Sequence, residues 1–234
     1  MFFINPPFGN YLNLPYTISI KGSYTLEPRE GLFLQILKTL RYSSKYNDWT
    51  NKIGLRNKGI DWALQNYKNN EIISIAILNK NDIPELIKKI PKEQNLEINI
   101  SCPNAEKEMV NIGVEKFLNK ERKWCILKLS PKIDNKDIDD FYKKGFRQFH
   151  CCNTIPVPEG GLSGKSLIPY TNEKTKFIKK NYNDTIVISG GGITNWNDVI
   201  NYNNIGADHF SVSTNFFNPI KSISLYYEYL KNMK

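Results

Sequence analysis

The chain has 234 residues, 40% hydrophobic and 24% charged, with four cysteines and a formal net charge of +9. That size suits one globular domain, or a single α/β barrel at the short end. Plentiful aromatic and β-branched residues exclude a disordered chain, and without a run of about 18 apolar residues no transmembrane helix is expected.

The start, Met1-Phe2-Phe3-Ile4-Asn5-Pro6-Pro7, lacks the length and basic flank of a signal peptide. Cys102, Cys125, Cys151 and Cys152 have no metal-type spacing. They are expected to be reduced thiols in a cytoplasmic protein without a metal site. The sequence pI of about 9.2 would suit a nucleic-acid surface. The lysines are scattered, however, in short pairs such as Lys88-Lys89, Lys143-Lys144 and Lys179-Lys180, with no aromatic–basic RNA motif. A Lys-rich composition explains the charge more simply, and a nucleic-acid partner is not expected.

Short apolar runs alternate with amphipathic stretches. Residues 18–20, 72–78, 96–100, 124–129, 146–151, 185–189 and 208–212 are rich in Ile, Val, Phe or Leu and read as buried strands. Helices are expected from Asp82, a capping residue ahead of Leu86, Ile87 and Ile90, and over 110–118, 137–144, 171–180, 195–203 and 219–231. Strand–helix alternation predicts a parallel sheet. This many repeats in one domain favour a (β/α)8 TIM-type barrel, with its active groups where the strands end. A doubly wound sheet is the runner-up, weakened by the absence of Gly-x-Gly-x-x-Gly after the first strand.

The polar residues at those strand ends form a coherent set. Lys21 follows Ile20. Asn99-Ile100-Ser101-Cys102-Pro103-Asn104 closes the run at 96–100, and a thiol flanked by asparagines there is poorly explained as packing. Lys128 sits inside an apolar strand, where a lysine needs a partner or a route to the rim. Asn153-Thr154, Gly190-Gly191-Gly192 and Ser213-Thr214 follow the later strands. Glycines after the seventh strand, paired with the loop after the eighth, suit a phosphate site, although two simple turns would look the same. Gly160-Gly161-Leu162-Ser163-Gly164-Lys165 does not fit the Walker A frame and suggests a flexible lid or backbone contacts to a flat ligand.

In order along the chain, Ile20-Lys21-Gly22-Ser23-Tyr24-Thr25-Leu26-Glu27-Pro28-Arg29-Glu30-Gly31, Asn51-Lys52-Ile53-Gly54-Leu55-Arg56-Asn57-Lys58-Gly59, the segment 99–104, Leu127-Lys128-Leu129-Ser130-Pro131, Cys152-Asn153-Thr154, the glycine run 160–167 and Ser189 to Ile193 resemble the dihydroorotate dehydrogenases. The resemblance covers about residues 18–219 and implies a single FMN-binding barrel domain over 1–234. It implies oxidation of dihydroorotate to orotate with FMN, in pyrimidine biosynthesis. Cys102 matches the catalytic base of the soluble class 1 enzymes. Asn51, Asn99, Asn104 and Asn153, with Thr154 beside them, match the groups that hold the substrate. Lys21 matches a lysine near both substrate and flavin. Lys128, Gly164, Gly191, Gly192, Ser213 and Thr214 match cofactor contacts, and Asn99 is shared between the two sets.

The chain departs from the family in several places. Little precedes Ile18, so the first β/α unit is expected to be incomplete. Only Ser74 is polar in the run 72–78, where relatives often carry an asparagine. The segment from Asn153 to Gly160 is short, and Ser213 stands where many relatives have glycine. Two rival functions follow. A tRNA dihydrouridine synthase-like flavin reductase would share the barrel, the cysteine and the positive charge, but not the form of the segment 99–104, and no room for an RNA-binding helical domain is expected after Pro219. A catalytically inactive flavin-binding relative is the other. The electron acceptor is unassigned: fumarate, NAD through a partner subunit, or a quinone analogue, the last disfavoured without a membrane anchor. A homodimer is the default assembly.

Overall fold

The computed structural model describes residues 1–100 and 113–232. In chain order the elements are β1 (Phe2–Ile4), β2 (Thr17–Tyr24), α1 (Leu32–Thr39), β3 (Arg41–Ser43), β4 (Asp48–Asn51), α2 (Gly59–Asn66), β5 (Ile72–Ala76), α3 (Asp82–Lys89), β6 (Leu96–Asn99) and β7 (Cys125–Lys128). Then follow α4 (Asn135–Lys143), β8 (Gln148–Cys151), β9 (Ile155–Val157), β10 (Gly160–Leu162), α5 (Ile168–Asn181), β11 (Ile186–Gly190), α6 (Trp196–Asn204), β12 (His209–Val212) and α7 (Pro219–Asn232). Eight strands close a parallel barrel in the order β1-β12-β11-β8-β7-β6-β5-β2, as the alternating pattern predicts.

All seven expected runs are barrel strands. The eighth, β1, is three residues long, too short to stand out as a run, and it closes the barrel by pairing with both β12 and β2. The first β/α unit is incomplete, as expected: between β1 and β2 lies only a 3-10 turn at Phe8–Asn10. That turn seals the outer face of the two strands. A Cβ on Gly9 would fall 2.2 Å from the Ile20 carbonyl oxygen, so the backbone lies directly on the sheet. Asn10 Oδ1 accepts from the Gly22 amide at 2.8 Å, and the Ser19 hydroxyl donates to the Leu12 carbonyl.

The side chains alternate as a closed barrel requires. On β5, Ile73 and Ile75 pack toward the helices; so do Leu96 and Ile98 on β6, Leu127 on β7 and Phe149 on β8. The intervening residues face the barrel axis. A lower interior layer of Phe3, Ile20, Ile72, Trp124, Ile126 and Ile188 is an apolar cluster.

Helix ends follow local chemistry. Asn195 caps α6 in a capping box: its Oδ1 accepts from the Asp198 amide at 3.1 Å, and Asp198 accepts back from the Asn195 amide. The expected cap at Asp82 is displaced. Asn81 occupies the N-cap position of α3 without a side-chain cap bond, and the Asp82 carboxylate instead accepts from the Asn79 amide at 3.2 Å. Within the helix expected over 110–118, the described part is a 3-10 turn, Val114–Phe117. A second, four-stranded sheet in the order β3-β4-β10-β9 was not foreseen.

Candidate active site

Two residues further along β1, β5 and β7, the barrel interior changes from apolar to polar. Phe3 gives way to Asn5, Ile72 to Ser74 and Ile126 to Lys128, while Glu97, His150 and Ser211 enter from β6, β8 and β12. Glu97 and His150 are both fully buried. Glu97 Oε2 lies 2.6 Å from His150 Nδ1, and Glu97 Oε1 accepts from Ser74 Oγ at 2.8 Å and faces Lys128 Nζ at 3.6 Å. His150 Nε2 is 2.7 Å from Ser211 Oγ and 3.2 Å from Asn5 Nδ2. Gly190 makes room for this contact, since a Cβ there would lie 1.9 Å from Ser211 Oγ.

Burial by itself would push the Glu97 carboxyl up; Lys128 and His150 beside it, with the hydrogen bonds from His150 and Ser74, hold it down to about 2. Burial lowers the His150 pKa, against the attraction of Glu97. Burial thus favours the uncharged ring, and a neutral imidazole with its proton on Nδ1 gives that proton to the carboxylate and leaves Nε2 free to accept from the Ser211 hydroxyl.

A hydrogen-bonded line rises from this layer to the rim. Ser74 Oγ and Ser23 Oγ are 2.8 Å apart. Asn99 Nδ2 donates to Ser23 Oγ at 3.1 Å, Asn153 Nδ2 to Asn99 Oδ1 at 3.1 Å, and the Thr154 amide to Asn153 Oδ1 at 2.8 Å.

Above the polar layer opens a cleft of about 250 Å³. Lys128, Asn153 and Thr154 line one side. Gly191, Gly192, Ser213 and Thr214, from the loops after β11 and β12, line the other, with Gly164 near them. The second sheet covers the mouth. Trp49 and Asn51 project from β4 into the cleft on the same face, and Trp49 stacks on Phe217 with ring centroids 4.5 Å apart.

The glycine run 160–164 is a strand paired with β4 and β9, followed by its exit. A Cβ on Gly160 would sit 2.1 Å from the Asn51 carbonyl oxygen, and one on Gly161 2.7 Å from Thr154 Oγ1. Asp48 anchors this cover to the start of α5 by accepting from the Ser166 amide and hydroxyl, both at 3.2 Å. Gly191 and Gly192 have φ of 93° and 75°, and a Cβ on either would collide with Leu167 or Ile168. Close packing and a left-handed backbone both require glycine there.

The structure thus brings Asn51, Lys128, Asn153, Thr154, Gly164, Gly191, Gly192, Ser213 and Thr214 to one cleft, with Asn99 hydrogen-bonded just beneath Asn153. Cys102 and Asn104 lie outside the described residues. Lys21 is not brought to the cleft. It registers with Ile73 on β5 and shares that residue's helix-facing side, because Ile20 takes the interior position. Its ammonium, almost fully buried, donates to the Gly9 carbonyl and to Asn13 Oδ1, both at 2.9 Å, with Glu71 at 3.8 Å. Lys21 ties down the segment that replaces the first helix.

Sequence reasoning missed Asn5, Glu97, His150 and Ser211. A readable signal existed for two of them. Glu97 between Leu96 and Ile98, and His150 between Phe149 and Cys151, are ionisable groups inside apolar strands, as Lys128 is, and such groups need one another.

Among the described residues no helix is long and apolar enough to cross a membrane, and no cluster of side chains suits a metal ion. No family model matches the chain. Curated relatives do. The dihydroorotate dehydrogenase B (NAD(+)) catalytic subunit of Desulforamulus reducens is 30% identical over 246 residues, covering 89% of this chain and 78% of the relative. The protein of the same name from Bacteroides thetaiotaomicron is 27% identical with the same coverage, and that of Petrotoga mobilis 28% identical over 86% of this chain and 77% of the relative. Among solved structures, ligand-free dihydroorotate dehydrogenase from Eimeria tenella superposes with a TM-score of 0.71 at 18% identity, covering 98% of this chain and 83% of that one. Its complex with ferulenol gives 0.68 at 19% identity, covering 92% and 74%. These two support the barrel fold. With a relative 30% identical over most of both chains, this chain belongs to the dihydroorotate dehydrogenase family and is a dihydroorotate dehydrogenase-like oxidoreductase.

Proposed function

We propose that the chain oxidises dihydroorotate to orotate with FMN as its cofactor, serving pyrimidine biosynthesis. The observation that carries this reading is the cleft itself. It joins a buried-stem lysine, carboxamides from β4 and the loop after β8, and glycine and hydroxyl groups from the loops after β11 and β12, all at the C-terminal mouth of one barrel.

The residues suit FMN. Gly191 and Gly192 leave backbone bare beside Ser213 and Thr214, as an anionic phosphate needs. Lys128 supplies a cation at the cleft floor, and Leu167, Ile193 and Trp49 give apolar wall for a flat ring system. When bound, FMN supplies the two-electron acceptor.

The protein's own part is to bind, orient and move one proton. Asn51 and Asn153, with Thr154, hold the substrate ring as neutral donors and acceptors that do not compete for the proton. Cys102 takes the proton from C5 of dihydroorotate as hydride leaves C6. A thiol of ordinary pKa near 8.5 does this as the thiolate. The cover sheet limits water at the mouth. Relatives named as NAD(+) catalytic subunits favour NAD(+), reached through a partner subunit, as final acceptor. A cytoplasmic homodimer is the default assembly. Anaerobic addition of dihydroorotate to the FMN-loaded protein is expected to bleach the flavin bands; bound FMN that stays oxidised would refute the function.

A further inference from the structure

The cation that FMN would meet at the cleft floor does not stand alone. Lys128 lines the cleft, and the fully buried Glu97 carboxylate lies directly behind it at 3.6 Å. Glu97 has no route to water, so its charge is balanced only by its neighbours. Among the described residues, the groups facing the pair are Ser74 from β5, Lys128 from β7, His150 from β8, Ser211 from β12 and Asn5 just after β1. Ser74, Ser211 and Asn5 are uncharged. His150 Nε2 faces the Ser211 hydroxyl and the Asn5 amide, both uncharged, and full burial disfavours a second proton on the ring. The sum over Lys128, Glu97 and His150 is zero.

We propose that Glu97, held in place by His150, is a positioning residue that masks the charge of Lys128, so that the cleft presents FMN with an ammonium dipole rather than a net cation. The inference rests on FMN occupying the cleft. Its consequence is redox tuning. Reduced FMN carries a negative charge on its ring at neutral pH, and oxidised FMN does not. A net cation beneath the ring would favour the reduced form; a masked one favours it less. The neutral unit keeps the bound flavin ready to pass its electrons on.

The test is a charge cycle read as the midpoint potential of bound FMN, by anaerobic spectroelectrochemistry on the full chain. Glu97→Gln unmasks Lys128 and should favour reduced over oxidised FMN about tenfold, raising the two-electron potential by about 30 mV. Lys128→Met leaves Glu97 uncompensated and should shift it in the opposite direction. Glu97→Gln combined with Lys128→Met restores zero net charge and should return the potential close to wild type. If Glu97→Gln does not fold, Lys128→Met and the double variant still decide the sign. A double variant no nearer to wild type than Lys128→Met, or a folded Glu97→Gln with unchanged potential, overturns the proposal.

A second readout needs no flavin. The chain has two histidines, so ¹⁵N NMR of apo-protein resolves His150. A proton on Nδ1 only, unmoved between pH 8 and the ordinary imidazole range near 6.5, supports the neutral floor; both nitrogens protonated at neutral pH would overturn it. Wild-type protein that binds no FMN refutes the functional reading and the tuning with it. Bound FMN that ignores the charge cycle refutes only this inference.

Discussion

The lower and upper layers of the barrel interior meet on β5 and β7, where Ile72 and Ser74, and Ile126 and Lys128, stand two residues apart, yet they do different work. The lower layer is Phe3, Ile20, Ile72, Trp124, Ile126 and Ile188, packed without a hydrogen-bonding side chain except the Trp124 indole. The upper layer is Ser74, Glu97, Lys128, His150 and Ser211, joined by contacts of 2.6 to 3.6 Å. The lower layer closes the barrel by exclusion of water. The upper one costs desolvation of two charges and an imidazole, and that cost is recovered only while the network is whole. A charged layer directly beneath a cleft is poor design for stability alone and good design for holding a cation in one place.

Breaking the upper layer should therefore have the largest effect. Glu97→Leu strands the Lys128 ammonium and is expected to cost about 3–5 kcal/mol in urea unfolding, together with weaker FMN binding. A loss under about 1 kcal/mol would mean that the carboxylate is not the hub.

In the lower layer, Ile126→Ala should cost about 2–5 kcal/mol through the cavity it leaves, while the folded fraction binds FMN with unchanged affinity. Coupled losses of stability and affinity would erase the distinction between the layers. Gly190→Ala tests the seam, since its methyl group would displace Ser211 Oγ. We expect about 1–3 kcal/mol of destabilisation and a change in the His150 ¹⁵N shifts, which Ser211→Ala should share.

The smallest effect is on pH dependence. His150 has a folded pKa below 6.5 and Glu97 one of about 2 against an ordinary 4.5. Both are depressed, so both contribute stability at neutral pH that is lost on acidification. Through these two groups, stability of the apo-protein should fall as pH drops below 6.5 and fall again between 4.5 and 2, with the partly buried Met1 ammonium, its pKa lowered from 8.0, starting the decline earlier. Burial also lowers the His209 pKa and adds to the first step, so His150→Gln should reduce that step without abolishing it. A profile that rises on acidification would contradict the assigned protonation states.

The barrel was legible because buried parallel strands are short apolar runs, and the residues 72–76, 96–99 and 186–190 keep that signal although Ser74, Glu97 and Ser189 interrupt it. The cleft was legible where polar groups follow strand ends, as at Asn153, Gly191 and Ser213. Lys21 shows the limit: at a strand rim, one step of alternation separates a ligand contact from an anchor on the outer face, and only the register with Ile73 decides between them. The cover sheet was hidden for another reason. Its strands are three or four residues long, polar in β3 and β4 and occupied by proline or glycine in β9 and β10, so pairing across the fold, not local pattern, creates them.

The central claim is that FMN sits in the cleft above Lys128. Hydrogen–deuterium exchange of the full chain with and without FMN tests it directly. We expect slowed exchange at residues 163–164, 190–193 and 213–214, which line the cleft, with α3 and α4 unchanged. FMN that binds while those three segments exchange as in the apo-protein would contradict it.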